Sequence, residues 1–478
     1  MSYYYADLVN VGENEQSKAK FVKGAVNNFV SSDLYNTAKI ADEYDRGLNT
    51  TITSYEKTIR DIAGRSMRDP FSATHRGASN FYHIFTSQLV QYLLANGIIW
   101  QNKDTETRLG YKFSNTLARL VKCALDGSVA YGYFNLDHLE ILPLYSRTSP
   151  CFCPITDNET GMLRAGIGFW RYDEKSPLHA TLYAEDGVTE YLYISNKKTI
   201  VCDKWQRLDD MTYIKPRKAY QNVNIKIPAT GEEINDGANY STLPIIPLYA
   251  NYQHQSEITA LREKIDAYDF ILNGFADDLD NAQIYWIIRG AGGMDDPSLA
   301  EFLDRIRNVG AAAPEDGQDV QAITVNIPVE ARERLLDRLE AQLYKDAQAF
   351  NPNDVKSGST VTAQIDAAYE PLNLKANELE YCILDFIYAL LEMLGIKDEP
   401  TFTRDKLSNT DDKIRTLVTA APYLSKDYIT EKILLILGDG DKTAEILKQI
   451  DAENMERMNM LAEQLNGKAP EGGEDVNV

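Results

Sequence analysis

The sharpest periodic signal in the sequence is a heptad pattern over residues 255–281. Large apolar residues recur there at alternating spacings of three and four, which is typical of a helix that packs lengthwise against another helix. The members of this stripe are Ile258, Leu261, Ile265, Tyr268, Leu272, Phe275 and Leu279. The remaining faces are rich in carboxylates, and they are compatible with a solvated face or with the lining of an acidic channel.

A second amphipathic helix is predicted over residues 328–350. Its apolar residues repeat every four positions and therefore form one ridge, made of Leu335, Leu339, Leu343 and Ala347. Between the two helices, residues 282–327 have the pattern of a strand at 284–289, a helix at 297–309 and a strand at 320–327. The sequence thus predicts two long helices that flank a compact β-α-β module.

A polar loop follows the second helix at residues 351–360. Pro352 biases the residue before it away from helical geometry, so the helix is expected to stop there. Another helix is predicted over residues 361–396, with a kink at Pro371. Its last turns are apolar on most sides, which predicts burial. The loop would therefore be held between two rigid walls.

Residues 1–254 combine helices with short β-branched or aromatic runs, so the fold class is α+β and mainly helical. Amphipathic helices are predicted at 75–97 and 111–125. An antiparallel β region is expected to follow, with strands at 129–134, 139–145, 166–172, 180–184, 189–194 and 199–202. Its many tyrosines fit half-buried strand faces, with a stacking platform for bases as the alternative.

The C-terminal part is predicted to be helical at residues 407–420, 426–437 and 442–464, and residues 467–478 have the composition of a disordered tail. The spacing in Cys151-Phe152-Cys153 fits a strand rather than a zinc site. Five cysteines form a sparse, odd set, which predicts reduced thiols in a cytoplasmic fold.

The formal net charge of −22 argues against a protein that wraps nucleic acid, since that task needs clustered Lys and Arg. The same charge is compatible with a protein that lets DNA pass without holding it. No apolar run reaches the length of a membrane span, and the first residues lack a basic-then-apolar signal. We therefore expect no membrane association.

Motifs for catalysis or cofactor binding are absent from the sequence. There is no G-x-x-x-x-G-K-[ST] loop, no H-E-x-x-H pair and no G-x-S-x-G elbow. Asp439-Gly440-Asp441 lacks the later ligands of a calcium loop, so a helix stop and restart is the better interpretation. We predict no catalytic residues, no cofactor and no metal site.

Several segments, in their order along the chain, resemble the portal proteins of tailed bacteriophages. The main carriers are REKIDAYDFILNGFADDLDN at 262–281 with AQIYWIIRG at 282–290, EARERLLDRLEAQLYKDAQAFNPND at 330–354 and SGSTVTAQIDAAYEPLNLKANELEYCI at 357–383. Weaker carriers are ADEYDRGLNTT at 41–51, NFYHIFTSQLVQYLLANGI at 80–98 and LDGSVAYGYFNLDHLEILPL at 125–144.

The resemblance implies a portal fold, with a wing, a two-helix stem, a small α/β clip and a helical crown. The wing would be 1–254, the stem helices 255–281 and 328–350, the clip 282–327, the tunnel loop 351–360, a kinked bridging helix 361–396, the crown 397–466 and the tail 467–478. The implied assembly is a homo-oligomeric, dodecameric ring at one capsid vertex of the virion, formed in the host cytoplasm. Double-stranded DNA would pass through it without sequence specificity.

The implied partners are the large terminase subunit, which would supply ATP hydrolysis, the head–tail adaptor or neck proteins, and the major capsid and scaffolding proteins. Six polar residues of the tunnel loop would face DNA: Asn351, Asn353, Asp354, Lys356, Ser357 and Ser359. Eight carboxylates are candidates for the channel face of the stem: Glu263, Asp266, Asp269, Asp277, Asp278, Glu333, Asp337 and Glu340. Lys356 is the only cation of the loop and would contact phosphate, with an ordinary solvated lysine as the alternative.

Three other interpretations remain open from the residues alone. The first is a different ring or scaffold protein of the head–tail connector, although small connectors lack an insert between two long helices. The second is an enzyme that acts on nucleic acid, which would need a metal or nucleotide site. The third is a multidomain α+β binding protein without a channel.

Overall fold

The fold is taken from a computed structural model of the chain, which describes residues 3–60, 65–68, 74–173, 175–194, 204–226, 233–280, 284–289, 319–324, 328–354, 362–404, 410–437 and 443–466. Two compact units are present. The first unit comprises residues 1–350 and 371–405, and the second comprises residues 351–370 and 406–478.

The described helices confirm most of the periodicity-based predictions. In chain order they are α1 (Tyr5–Val11), α2 (Glu15–Val30), α3 (Asp33–Asp45), α4 (Thr50–Thr53), α5 (Phe81–Leu94), α6 (Lys103–Leu109), α7 (Phe113–Gly127), α8 (Ile258–Asp280), α9 (Val329–Ala347), α10 (Thr362–Leu394), α11 (Thr410–Ala420), α12 (Lys426–Leu437) and α13 (Thr443–Asn466). Pro371 lies inside α10.

The described strands form small antiparallel sheets, so the α+β class is confirmed. They are β1 (Thr58–Arg60), β2 (Ser66–Arg68), β3 (Ile98–Ile99), β4 (Val129–Asn135), β5 (His138–Pro143), β6 (Cys151–Thr156), β7 (Leu163–Trp170), β8 (Leu178–Ala184), β9 (Gly187–Tyr193), β10 (Gln206–Arg207), β11 (Thr212–Lys218), β12 (Gln221–Lys226), β13 (Glu233–Ala238), β14 (Ile245–Tyr249), β15 (Ile284–Arg289), β16 (Asp319–Thr324) and β17 (Thr401–Phe402). The predicted strand at 199–202 lies outside the described residues.

The largest core of the first unit lies between α2 and a six-stranded sheet of order β10-β11-β9-β8-β7-β6. Asn14 caps α2, because its Oδ1 accepts the backbone N–H groups of Gln16 at 3.0 Å and Ser17 at 3.2 Å. The helix then buries Phe21, Val22, Ala25, Val26 and Phe29. This layer of helix on sheet is the arrangement that an amphipathic helix next to an alternating β region favours.

A second layer places α7 on the three-stranded sheet β14-β4-β5. The inner face of α7 is closed to solvent at Leu117, Leu120, Val121 and Ala124, as its period predicts. The β4 strand is buried along nearly its whole length. The strand Cys151–Thr156 also confirms the prediction for Cys151-Phe152-Cys153, and burial raises the pKa of the Cys153 thiol to about 12.

Several tyrosines of the β region are packed into the core, which confirms the half-buried strand interpretation for them. Tyr131, Tyr191 and Tyr193 are each at most 5% exposed, and burial raises their pKa values above the ordinary phenol value. The hydroxyl of Tyr193 donates to the carbonyl of Ala19 at 2.7 Å. These three rings are therefore unavailable as a stacking platform for bases.

One helix boundary differs from the prediction. The helix expected over residues 75–97 begins at Phe81 instead. Residues 75–79 are not helical, because the backbone N–H groups of His75, Gly77 and Ser79 donate to side chains of the distant helix α8. Local periodicity cannot reveal a competing tertiary partner almost two hundred residues away.

In the second unit, α11 contacts α12 and α12 contacts α13. The helices confirm the three predicted C-terminal helices to within a few residues at their ends. The tail predicted to be disordered, residues 467–478, lies outside the described residues.

Candidate functional site: a helical hairpin and the loop that follows it

The two long helices α8 and α9 pack against each other in antiparallel orientation. Lys264, near the start of α8, has its Nζ 2.6 Å from a carboxylate oxygen of Asp346 near the end of α9. At the opposite end, the guanidinium of Arg332 lies 2.5 Å from Asp278. These two ion pairs fix the register along the helix pair, and the predicted lengthwise packing is confirmed. We call α8 and α9 together the hairpin.

The far end of the hairpin leads into two antiparallel strands. β15 pairs with β16 in a register that runs from Ile284 opposite Thr324 to Arg289 opposite Asp319. The predicted helix at 297–309 lies outside the described residues. The strands of the expected β-α-β module are therefore confirmed, while its helix stays a prediction.

The apolar stripe of α8 has two different environments. Its first part, Ile258, Leu261 and Ile265, is at most 2% exposed and shares a core with Leu343 and Ala347 of α9. Aromatic rings of α5 close this core, where Phe81 meets Tyr268 at a centroid distance of 5.0 Å and Phe85 meets Tyr344 at 5.1 Å. In its last part, Leu272 and Leu279 are 41% and 51% exposed. The stripe thus leaves the core of the subunit halfway along the helix.

A ladder of polar side chains fastens α8 to the extended segment 75–79. Asp269 accepts the N–H of Ser79 at 3.0 Å, and Asn273 accepts the N–H of Gly77 at 2.7 Å. The Nδ2 of Asn273 also donates to the carbonyl of Gly77 at 2.7 Å. At the third rung Asp277 accepts the N–H of His75 at 2.6 Å, and its carboxylate lies 2.8 Å from the ring Nδ1 of that residue.

The spacing of this ladder follows from the geometry of the two elements. Side chains four residues apart on a helix rise by about 6 Å, while alternate residues of an extended chain are about 6.6 Å apart. Rungs at 269, 273 and 277 can therefore meet residues 79, 77 and 75 in turn. We call these contacts the 269–273–277 ladder.

Burial governs the electrostatics at the top of the ladder. Asp269 is closed to solvent, and burial raises the pKa of its carboxyl above the ordinary value even though hydrogen bonds from Asn49 and Ser79 oppose the shift. Asn49 donates to it at 2.8 Å. Burial and the adjacent Asp266 carboxylate together raise the pKa of the Tyr44 hydroxyl, which donates to Asp266, to about 12.

The eight acidic channel candidates separate into three groups. Asp269 and Asp277 are buried in the ladder, and a side chain buried within its own subunit cannot line an open channel, so these two predictions are wrong. Asp266 and Asp278 are partly buried. Asp266 accepts a hydrogen bond from the Tyr44 hydroxyl, and Asp278 forms an ion pair with Arg332. Four side chains remain free to face a channel: Glu263, Glu333 and Asp337 are exposed and Glu340 is half-buried.

The loop predicted to face DNA is described only at its start. α9 ends at Ala347 because Gln348 adopts a left-handed conformation with φ of 52°. The chain then forms a short turn at Pro352–Asp354, in which the Oδ1 of Asn351 accepts the N–H of Asn353 at 3.0 Å. Lys356, Ser357 and Ser359 lie outside the described residues, so their role stays a prediction.

An ion pair that sequence reasoning missed joins α10 to the end of α9 and to the residue that precedes α8, at the base of the hairpin. The Nζ of Lys375 in α10 lies 2.5 Å from a carboxylate oxygen of Glu257 and 3.1 Å from the carbonyl of Ala347. Both charged side chains are only 16% exposed. A cation at the end of α9 also interacts favourably with the helix dipole. The partners are 118 residues apart, so no local pattern signals this contact.

The described residues show no cluster of three or more potential metal ligands among His, Cys, Asp and Glu. Among the same residues, none of the helices has the length and apolar character that crossing a bilayer requires.

A family described as "Phage portal protein, SPP1 Gp6-like" matches residues 38–458 of the chain. The portal protein of Clostridium phage phiCD119 is 27% identical over 189 residues, which is 37% of this chain and 42% of that relative. This relative is thus matched over less than half of its own length. The portal protein of Bacillus phage SPP1 is 23% identical over 455 residues, which is 89% of this chain and 84% of the relative.

Solved structures with a similar chain come from gene transfer agent particles. The neck of an empty particle, computed with C6 symmetry, gives a TM-score of 0.41 at 12% identity and covers 75% of this chain and 90% of that one. A virion of the native particle gives 0.40 at 12% identity, with coverage of 74% and 89%.

Proposed function

The chain belongs to the SPP1 Gp6-like family of phage portal proteins, whose match covers residues 38–458, and on this basis we propose how DNA would pass through it. In the proposed mechanism, copies of the chain form a closed ring at one capsid vertex. DNA enters the capsid through the bore of this ring during packaging and leaves through it during ejection.

The hairpin would be the stem that surrounds the bore. α8 and α9 would be the two stem helices, and the paired strands β15 and β16 would belong to the clip at its far end. Residues 1–254 would form the wing, 351–360 the tunnel loop, 361–396 the bridging helix and 397–466 the crown. The antiparallel packing of the hairpin supports this assignment, because it gives a rigid and elongated element.

The proposed bore is lined by acidic side chains rather than basic ones. Glu263, Glu333, Asp337 and Glu340 are the candidates that the fold leaves accessible. Like charge discourages DNA from adhering to the wall, so the duplex would slide without being held. The loop at 351–360, with Asn351, Asn353 and Asp354 at its start, would contact the duplex at the narrowest point.

The proposed partners follow from the same role. A ring that threads DNA but has no nucleotide-binding motif needs an external motor, which we assign to the large terminase subunit. Neck proteins would replace the motor at the clip after packaging, and the capsid and scaffolding proteins would surround the wing. The proposed location is the virion, with assembly in the host cytoplasm.

Electron microscopy of the purified full-length protein tests this proposal. We expect ring-shaped particles with a central channel, dodecameric in the virion, and a mass several times that of the 53.9 kDa chain. A protein that stays a monodisperse monomer under every assembly condition, with no ring on the grid, would contradict the proposed ring.

A further inference from the structure

The hairpin carries an apolar cavity on one side. It has a volume of about 340 Å³. Its apolar lining comes from Ile52 and Tyr55 of the wing, Phe270 and Ile271 of α8 and Leu335 of α9. Phe270, Tyr55 and Leu335 are each more than 40% exposed, so the cavity is open to a partner. We call it the hairpin pocket.

Three polar side chains in the wall of the hairpin pocket have partners within the chain. Asp277 holds His75, Asn273 holds the backbone of Gly77, and Asp278 is paired with Arg332. An apolar side chain that enters the pocket would therefore leave none of these groups without its hydrogen bond or ion pair. The pocket suits an aliphatic side chain from a protein surface.

The opposite side of the same helix presents two exposed leucines. On a helical wheel Leu279 lies about 180° and Leu272 about 200° from the pocket residue Phe270. Both leucines are more than 40% exposed. They are the half of the heptad stripe that the fold of a single subunit leaves uncovered. We call Leu272 and Leu279 the leucine pair.

The leucine pair and the hairpin pocket lie at the same level along α8. The pocket is lined by residues 270 to 278 of this helix, and the leucines occupy positions 272 and 279. A contact between different patches of identical chains closes into a ring only without a shift along the ring axis, and with such a shift it grows into a filament. Because the leucine pair and the hairpin pocket lie at the same height on a stem helix that would run along the ring axis, a contact between them needs no such shift.

We propose that the leucine pair of one subunit packs into the hairpin pocket of the next copy of this chain around the ring. The proposal rests on the ring proposed above and adds which two surfaces of neighbouring stems are in contact. Each copy would then use its leucines on one flank and its pocket on the other. This contact completes the heptad stripe that the single chain buries only in part.

Two substitutions block the two halves of the contact separately. Leu279→Glu places a charge on the leucine pair, and the side chain is exposed in the subunit, so the fold is unaffected. Gly274→Trp fills the pocket, since Gly274 lines it and an added Cβ there has open space within 4 Å. Met162→Glu, at another exposed apolar residue far from the hairpin in sequence, is the matched control.

We expect each of the two variants to lose ring assembly and elute as a monomer with unchanged circular dichroism, whereas Met162→Glu assembles like the wild type. Leu272→Cys combined with Tyr55→Cys is expected to give a ladder of disulfide-linked oligomers under oxidation. Chains with one of these cysteines are expected to give no ladder.

The outcomes separate this proposal from the ring itself. Rings that form in both blocking variants, or a double-cysteine ring without cross-links, would overturn the leucine–pocket contact and leave the ring in place. A wild-type chain that never assembles would overturn the ring and this contact together.

Discussion

At the scale of single residues, the packing of the β region is tightest where a glycine lies against an aromatic ring. A Cβ added at Gly166 of β7 would come within 2.0 Å of the Phe152 ring, which is itself closed to solvent. The ring cannot swing away without displacing its core neighbours. The glycine is therefore needed for the close approach of side chain and backbone and not for its own flexibility.

Two alanine substitutions test this interpretation as a matched pair. We expect Gly166→Ala to lower the free energy of unfolding by about 1–3 kcal/mol, because overpacking forces the core to rearrange. Gly274→Ala in α8 meets nothing within 4 Å and should raise helix stability by about 0.5–1 kcal/mol. Denaturant unfolding of both variants measures whether each substitution lowers or raises the free energy of unfolding. A neutral result at residue 166 would contradict the close contact.

At the scale of elements, the sequence predicts helices and strands well but not the contacts that orient them. The heptad stripe of α8 predicts a packed helix, and Pro352 predicts that α9 ends before it. The ladder is different, because Asp269, Asn273 and Asp277 appear in sequence as part of an acidic solvated face. Their partners at 75–79 are about two hundred residues away, and only folding brings them together.

Removal of the middle rung should loosen the segment 75–79 more than the hairpin. Asn273→Leu keeps the branched side-chain shape but leaves the N–H and carbonyl of Gly77 without the two bonds at 2.7 Å. We expect a loss of about 0.5–1.5 kcal/mol for each of these hydrogen bonds. Glu263→Gln, exposed on the same helix, should change stability by less than about 0.5 kcal/mol.

Hydrogen–deuterium exchange localises the effect of this substitution. Faster exchange is expected at Gly77 and its neighbours, with α9 little changed. Equal exchange in Asn273→Leu and the wild type would show that the ladder does not hold this segment.

At the scale of the whole molecule, the sequence is informative about class and order but not about which carboxylates are accessible. The net charge of −22 and the order of elements point to a conduit rather than a binder of nucleic acid. Of the eight acidic candidates, Asp269 and Asp277 are buried, because they accept hydrogen bonds from backbone donors of the segment 75–79. That distinction needs the fold, since all eight have the same chemistry in the sequence.

The acidic lining proposed for the bore makes a prediction about DNA retention. Glu333→Gln, Asp337→Asn and Glu340→Gln together remove three negative charges from one side of α9. We expect ring assembly to be unchanged and short double-stranded DNA to be retained more strongly in a gel-shift assay at low salt. The added retention should disappear at higher salt, because screening weakens electrostatic contacts with phosphates.

A control variant with the same loss of charge separates the bore from the outer surface. Asp104→Asn, Glu106→Gln and Glu159→Gln change exposed residues outside the hairpin and also remove three charges. If the α9 carboxylates line the bore, the control should retain DNA as weakly as the wild type does. Equal retention in both triple variants would mean that net charge alone matters, and the proposed position of Glu333, Asp337 and Glu340 in the channel would be wrong.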